Sequence, residues 1–414
     1  MERFDQKFFD RINESWEGIS TEDFLSYLTP KAQQIITVQS LTALLEEKRK
    51  LKVKFGIDPT GFDVHLGHLV PVMILHQFLR AGHSVDFVLG DFTARIGDPA
   101  GRETSRAPLT QEQIEANQAT YTKQISRFIN VSKLSVRKNS EWLSSMTLEK
   151  LLPVLQSISM TEAVQREDFR ARFKNDQAVS IAEATYGVLM GLDSVALETD
   201  IELGGIDQLL NFQQCRAVQT HFGQKEEVVI TTPILEGTSG DGRKMSKSFN
   251  NYIAATAPVS EKFGKIMSIP DNLILSYFKS FADIRAQEIE EMTSAIAENP
   301  FEMKKQLASF IVGLETGSLE NGYIERENFE SKFSDVKITE KDVQKITVSA
   351  GVQLFDALFS TGVFESKAEL RRLFEQNAVR QVNEESVLSV DTPVDQIEGF
   401  LRVGKLRFFS IEIE

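Results

Sequence analysis

Two pairs of residues, each three positions apart, stand where phosphate chemistry could be done. His65 and His68 belong to the stretch Lys54-Phe-Gly-Ile-Asp-Pro-Thr-Gly-Phe-Asp-Val-His-Leu-Gly-His-Leu69. That stretch passes from a strand-like run, through a turn at Pro59 and Gly61, into a helix expected over 69–79. A spacing of three puts both imidazoles on one side of the first turn, and Gly67 between them leaves the backbone open to a ligand. The unpaired N–H groups and positive dipole end of a helix start suit a polyphosphate. The same pair could also form a polar helix face or half of a metal site. No further His, Cys or dense carboxylate group lies nearby in the sequence to complete a zinc shell, so no metal site is expected. Asp58-Pro59-Thr60 just upstream favours phosphate.

The second pair, Lys244 and Lys247, lies in Gly242-Arg-Lys-Met-Ser-Lys-Ser248, in a loop that also contains Gly237 and Gly240. Such lysines are commonly solvated surface. Beside a polyphosphate they would neutralise charge building up on a departing pyrophosphate, catalysis by electrostatics and positioning without a covalent nucleophile. Closure of the loop would gate that step.

The elements that must position these residues read as α/β. From Leu51 onward, short apolar runs (Val53 to Ile57, Val85 to Leu89) alternate with turn residues and helix-period stretches, the pattern of βα units around a parallel sheet. We expect an N-terminal helical scaffold over 1–50, a Rossmann-like catalytic domain over 51–255 with a helical insertion at about 110–185, a helical domain over 256–335, and a small C-terminal α+β module over 336–414. A chain of 414 residues accommodates several such units. Its 41% hydrophobic and 26% charged content is that of a globular protein. No run approaches a membrane span, and the charged start Met1 to Asp10 lacks a signal-peptide core. Cys215 is the sole cysteine, which excludes an intrachain disulfide and suits a reducing, cytoplasmic setting. A net charge of −14 argues against capture of nucleic acid by a broad basic face; any RNA contact must be local.

Together, His65-Leu-Gly-His68 and Lys244-Met-Ser-Lys-Ser248 resemble the HIGH and KMSKS signatures of class I aminoacyl-tRNA synthetases, in that order and about 180 residues apart. Gly56-Ile-Asp-Pro-Thr60, Gly90-Asp-Phe-Thr-Ala-Arg-Ile-Gly-Asp-Pro99, Asn139 with Trp142, and Gly204-Gly-Ile-Asp-Gln208 narrow the resemblance to the bacterial-type tyrosyl enzymes or a close paralogue, over almost the whole chain. It implies that Thr60, His65 and His68 hold the phosphates of ATP, which arrives with Mg2+. It also implies that Gly56, Asp58, Gly67, Met245 and Ser246 line the nucleotide site, and that Lys244 and Lys247 act on pyrophosphate. A homodimer joined through the helical insertion is implied as well.

Amino-acid recognition is carried over from Tyr186-Gly-Val-Leu-Met-Gly-Leu-Asp193, which is similar to the family's Tyr-x-x-x-Gln-x-x-Asp helix. Tyr186, Met190 and Asp193 share a helical face. By resemblance, Asp193 accepts the substrate's phenol hydroxyl, Tyr186 and Asp98 hold its α-ammonium, and Asp207 and Gln208 complete the pocket. A site built to bond a hydroxyl strongly rejects the analogue without one, a property for which tyrosyl enzymes are themselves the known example. Met190 departs from the usual glutamine, and a thioether is a weak acceptor. Leu192 stands where a tyrosine is frequent. Lys54 stands where one branch of the family has tyrosine and another lysine. Met190 is consistent with core drift or with altered amino-acid choice.

Near the C-terminus, Ser366 to Arg380 and Leu401 to Arg407 resemble a small RNA-binding module shared with a ribosomal protein, with Lys367, Arg371, Arg372 and Arg380 as candidate phosphate contacts. From Ser366 to the end the chain carries about seven basic and nine acidic residues, and Asn377-Ala378 replaces the usual glycine pair. The sequence thus predicts a tyrosine–tRNA ligase with tRNA as partner. Its rivals are a paralogue with another amino acid or acceptor, and a non-catalytic RNA-binding protein on the same fold. A tryptophanyl enzyme fits less well, because the appended tail follows the tyrosyl pattern.

Overall fold

The computed structural model describes residues 3–59, 64–98, 110–159, 161, 167–334, 343–349, 351–364, 366–376, 378–381, 387–397, 400–404 and 407–413. They fall into two units, residues 1–329 and 330–414.

The larger unit is built on a six-stranded sheet of order β1-β6-β5-β2-β3-β4. Its strands are β1 (Gln34–Ile36), β2 (Lys52–Ile57), β3 (Ser84–Leu89), β4 (Ser135–Lys138), β5 (Ile201–Gly205) and β6 (Val228–Thr232). All neighbours run parallel except β1, which pairs antiparallel with β6. Consecutive burial along β3 and β6 shows that both sheet faces are covered, which is why these strands read as unbroken apolar runs.

Around the sheet lie α1 (Phe4–Ile12), α2 (Thr21–Leu28), α3 (Val38–Glu46), α4 (Leu66–Arg80) and α5 (Gln111–Ile125). Next come α6 (Ser140–Leu143), α7 (Leu148–Gln156), α8 (Glu167–Lys174), α9 (Ile181–Ala184), α10 (Tyr186–Leu197) and α11 (Leu209–His221). Then follow α12 (Val259–Met267), α13 (Ile274–Phe281), α14 (Ile289–Glu298), α15 (Pro300–Thr316) and α16 (Leu319–Ser334). The N-terminal segment is thus not purely helical, since β1 closes one sheet edge. The stretch 110–185 likewise contains β4, the opposite edge. Neither short edge strand has enough alternating apolar positions to announce itself. Helix α4 also begins earlier than its apolar period, at Leu66, because His65 serves as its N-cap residue.

Helix α1 shares one core with α13 and α15. Phe8 packs edge-on against Phe278 and Phe310, and the Phe4 N–H donates to Gln306 Oε1 at 2.8 Å. Asp283, fully buried, gathers Lys31, Arg80 and Gln77, so its charge is matched where water cannot reach it.

The smaller unit is a four-stranded sheet, β7 (Val343–Val348), β8 (Val379–Gln381), β9 (Phe400–Val403) and β10 (Arg407–Ile413), ordered β7-β10-β9-β8. Helices α17 (Leu354–Ser360) and α18 (Lys367–Glu375) accompany it. Leu370 and Phe374, one turn apart on α18, join Leu354, Leu358, Val379 and Phe409 in its core. That leaves Lys367, Arg371, Arg372 and, on β8, Arg380 exposed. Val387 bridges Arg380 outside any strand; Asn377 and Leu406 lie outside the described residues.

Candidate active site

One cleft at the C-terminal ends of β2, β3 and β5 collects Gly56, Asp58, His65, Gly67, His68, Asp98, Tyr186, Met190, Asp193, Asp207, Gln208, Lys244, Met245 and Ser246. Ligand sites in open α/β sheets belong at this edge. Thr60 lies outside the described residues. Lys247 is exposed and is not among the residues lining the cleft.

At one end of the cleft, the His65 and His68 rings stack with centroids 3.8 Å apart, and the His65 N–H donates to His68 Nδ1 at 3.2 Å. Burial, then His68 and Lys244, push His65 down to about 3; burial and Lys244 push His68 down to about 4. Both are therefore neutral imidazoles at pH 7, able to donate an N–H without carrying charge. Cationic charge comes instead from Lys244, whose exposed side chain faces the cleft. Its loop is held at several points. Met245 N–H donates to Leu235 O at 2.8 Å, Asn251 Nδ2 to Lys244 O at 3.2 Å, and Ser246 N–H to Asn251 Oδ1 at 2.8 Å. Gly237 is required here, because a Cβ would meet the Asn251 amide at 2.2 Å.

At the other end, Asp193 is 5% exposed and accepts from Trp142 Nε1 at 2.7 Å and Asn139 Nδ2 at 3.4 Å. Burial pushes its carboxyl up to about 7, against the pull of Lys54 and both donors. Between the ends, Asp58 accepts from Thr93 Oγ1 at 2.7 Å and from the Tyr186 hydroxyl at 3.0 Å. Burial and the nearby Asp98 raise it to about 7 as well. Asp98 itself accepts from Gln208 Nε2 at 2.5 Å and from Asn211 Nδ2 at 3.4 Å. Two carboxylates and a phenol thus converge where a cation would be welcome.

By resemblance Asp58 belongs with the nucleotide; its bond to Tyr186 joins it equally to the ammonium-type cluster. Thr93, Asn211 and the indole of Trp142 carry no task in the sequence reading. Asn211, one turn after Gln208 at the start of α11, could have been found from that spacing. Glu202, Cys215 and Glu227 bring ligand-type atoms within 4.8 Å of one another below the cleft. The place of a cation beside Glu202 is already taken by the Lys54 ammonium, at 2.8 Å.

A sequence model of the class I tRNA synthetases (W and Y) matches residues 46–326. A tyrosine–tRNA ligase of Idiomarina loihiensis is 37% identical over 396 residues, 94% of this chain and 98% of its own. One of Thermotoga maritima is 36% identical over 397 residues, covering 95% and 98%. The tyrosyl-tRNA synthetase of Archaeoglobus fulgidus, crystallised with L-tyrosine, matches in structure with a TM-score of 0.60 at 25% identity, over 74% of this chain and 100% of that one. With this fold, this cleft and these relatives, the chain belongs to the class I aminoacyl-tRNA synthetases. Within them it is of the tyrosyl type, an ATP-dependent aminoacyl-tRNA ligase.

Proposed function

We propose that this tyrosine–tRNA ligase works through the residues gathered in the cleft, its two chemically distinct ends taking ATP and tyrosine. The observation that carries the reading is the single cavity joining the His65/His68/Lys244 cluster to the Asp58/Asp98/Tyr186 cluster and to Asp193. The substrate carboxylate attacks the α-phosphate, pyrophosphate leaves, and a terminal ribose hydroxyl of tRNA later takes the acyl group. The imidazole N–H groups and the start of α4 hold phosphate oxygens, while Lys244, joined by Lys247 once the loop closes, offsets charge on the leaving pyrophosphate. Asp58, Asp98 and Tyr186 hold the α-ammonium, Asp193 the ring hydroxyl, and Gln208 with Asp207 brace the middle. ATP would bring Mg2+ with it, which would neutralise charge on the phosphates.

Met190 sits on α10 between the ammonium and hydroxyl positions without a polar head. The Met190→Gln variant is expected to lower KM for tyrosine by about 2- to 10-fold, the range of one added neutral hydrogen bond, with kcat little changed. Amino-acid-dependent ATP–pyrophosphate exchange across tyrosine and ring-modified analogues measures this. Wild-type preference for an analogue over tyrosine would instead make Met190 a determinant of a different substrate.

The same proposal includes a homodimer, a cytoplasmic setting and tRNA contact through the small unit. In support of the dimer, the insertion exposes the large apolar side chains of Leu148, Leu152, Phe173 and Ile181, which a partner subunit could cover. Among the described residues no helix is long and apolar enough to cross a membrane. In support of RNA contact, Lys367, Arg371, Arg372 and Arg380 are all exposed. Changing Arg371 and Arg372 to Gln is expected to weaken tRNA binding and to flatten its dependence on salt by about one unit of log–log slope per lost phosphate contact. Filter binding across a salt series reads both, and an unchanged slope would remove these arginines from the interface.

A further inference from the structure

Lys54 is a buried charge in the middle of β2, itself a central strand of the sheet, and it is 2% exposed. Its Cα register partner on β5 is Glu202, 1% exposed, and the ammonium meets Glu202 Oε1 at 2.8 Å. The other two ammonium protons go to α10: Nζ donates to Ser194 Oγ at 2.6 Å and to Met190 O at 3.0 Å. An ammonium has three donors, and all three are used. Lys54 borders the cleft but has nothing left to offer a substrate.

Its partners on α10 bracket Asp193. Ser194 is the next residue, and Met190 is one turn earlier on the same helix. On its far side α10 lies tight against α11, where a Cβ on Gly191 would meet Val218 at 2.7 Å. The helix is therefore located from two directions, by contact with α11 and by one ammonium reaching up from the sheet. The Ser194 hydroxyl, having accepted from Lys54, stands 3.3 Å from Glu202 Oε2 and closes the ring of bonds.

Glu227 stands behind this ring, 1% exposed. Burial and the neighbouring Glu202 push it well above the usual carboxylate range. Burial opposes the Lys54 charge too, but Glu202 and the nearby acids outweigh it and keep the ammonium protonated. The Lys54 ammonium thus meets Glu202 directly and also acts on the Asp193 carboxyl.

We propose that Lys54 is a positioning residue of the amino-acid site: by tying Met190 and Ser194 of α10 to Glu202 of β5, it sets where Asp193 meets the ring hydroxyl of the substrate. This rests on the reading of Asp193 given above. Its test is ATP–pyrophosphate exchange with the full chain, comparing Lys54→Met, Lys54→Met/Glu202→Gln and Asp193→Asn with wild type, together with each protein's Tm. Lys54→Met leaves Glu202 unmatched and lowers Tm. Removing both charges in the double variant returns Tm toward wild type, because an isolated buried charge costs more than a neutral pair. Tyrosine KM in the double variant nevertheless stays raised by about 10- to 100-fold, the scale of an ångström-sized misplacement, with a reduced preference for tyrosine over phenylalanine and an unchanged KM for ATP. A double variant with wild-type tyrosine KM and preference overturns the proposal and leaves Lys54 a partner of Glu202 alone. Asp193→Asn separates the two ideas: if it does not move tyrosine KM, the reading of Asp193 fails, and the role of Lys54 fails with it.

Discussion

The Lys244→Ala variant is expected to form tyrosyl adenylate about 10²- to 10³-fold more slowly, with KM for tyrosine nearly unchanged. The scale is that of removing one preorganised charge or donor aimed at where negative charge develops. Lys244 can be truncated with little effect on the fold. It is exposed, so truncation opens no cavity, and the Asn251 clip and the Met245–Leu235 bond hold its backbone without help from its own side chain. The stability change should therefore stay within about 0.5 kcal/mol. An interaction made mainly in the transition state lowers kcat without raising KM. His65 and His68 bear on the same result. Both rings stay neutral down to about pH 4, so the rate between pH 6 and 8 should show no imidazole titration from them. Single-turnover adenylate formation with wild type and variant over that pH range checks both points; an equal loss in tyrosine affinity would show that Lys244 organises the cleft and not the leaving group.

What the sequence disclosed follows from how local each signal is. The two segments that meet at the cleft, around His65 and Lys244, stood out because each is contiguous, a turn into a helix and a glycine loop, with its polar groups concentrated in a few residues. The α10 stripe of Tyr186, Met190 and Asp193 was readable because helical spacing is fixed. The bonds that define the pocket were not. Asp58 is joined to Tyr186 across 128 residues, and Trp142 to Asp193 across 51. Only the sheet order and the packing of α10 bring these groups together. Lys54 and Glu202 are opposite each other only because β5 lies next to β2, a crossover that no local pattern encodes. The edge strands β1 and β4 escape a sequence reading for a related reason: at three and four residues, each takes its structure from a neighbour more than from its own sequence.

A second large effect is expected at Asp193, where function and stability pull in opposite directions. Its carboxyl titrates at about 7 in the folded chain against an ordinary 3.8, chiefly because burial disfavours the charge. Between those values the folded state holds a proton that the unfolded state has lost. Stability from this group is therefore present at low pH, falls as pH rises from about 4 to about 7, and stays lower above that. The full shift corresponds to at most about 4 kcal/mol, reduced by any water the cleft admits. Asp193→Asn keeps an acceptor for Trp142 and removes the charge, so the variant without substrate should be more stable than wild type at pH 7.5 and more nearly equal at pH 5. Asp58, raised for the same reason, leaves some pH dependence in both proteins. Tyrosine affinity should move the other way, falling about 10- to 100-fold, because a hydrogen bond to a charged group carries about 1.5–3 kcal/mol. Phenylalanine, with no hydroxyl to lose, should be hardly affected. Urea unfolding at the two pH values, paired with exchange kinetics for both amino acids, tests the trade directly. A variant less stable than wild type at pH 7.5 would mean that Trp142, Asn139 and Lys54 already compensate the Asp193 charge in full. The electrostatic strain in the cleft would then have to reside at Asp58.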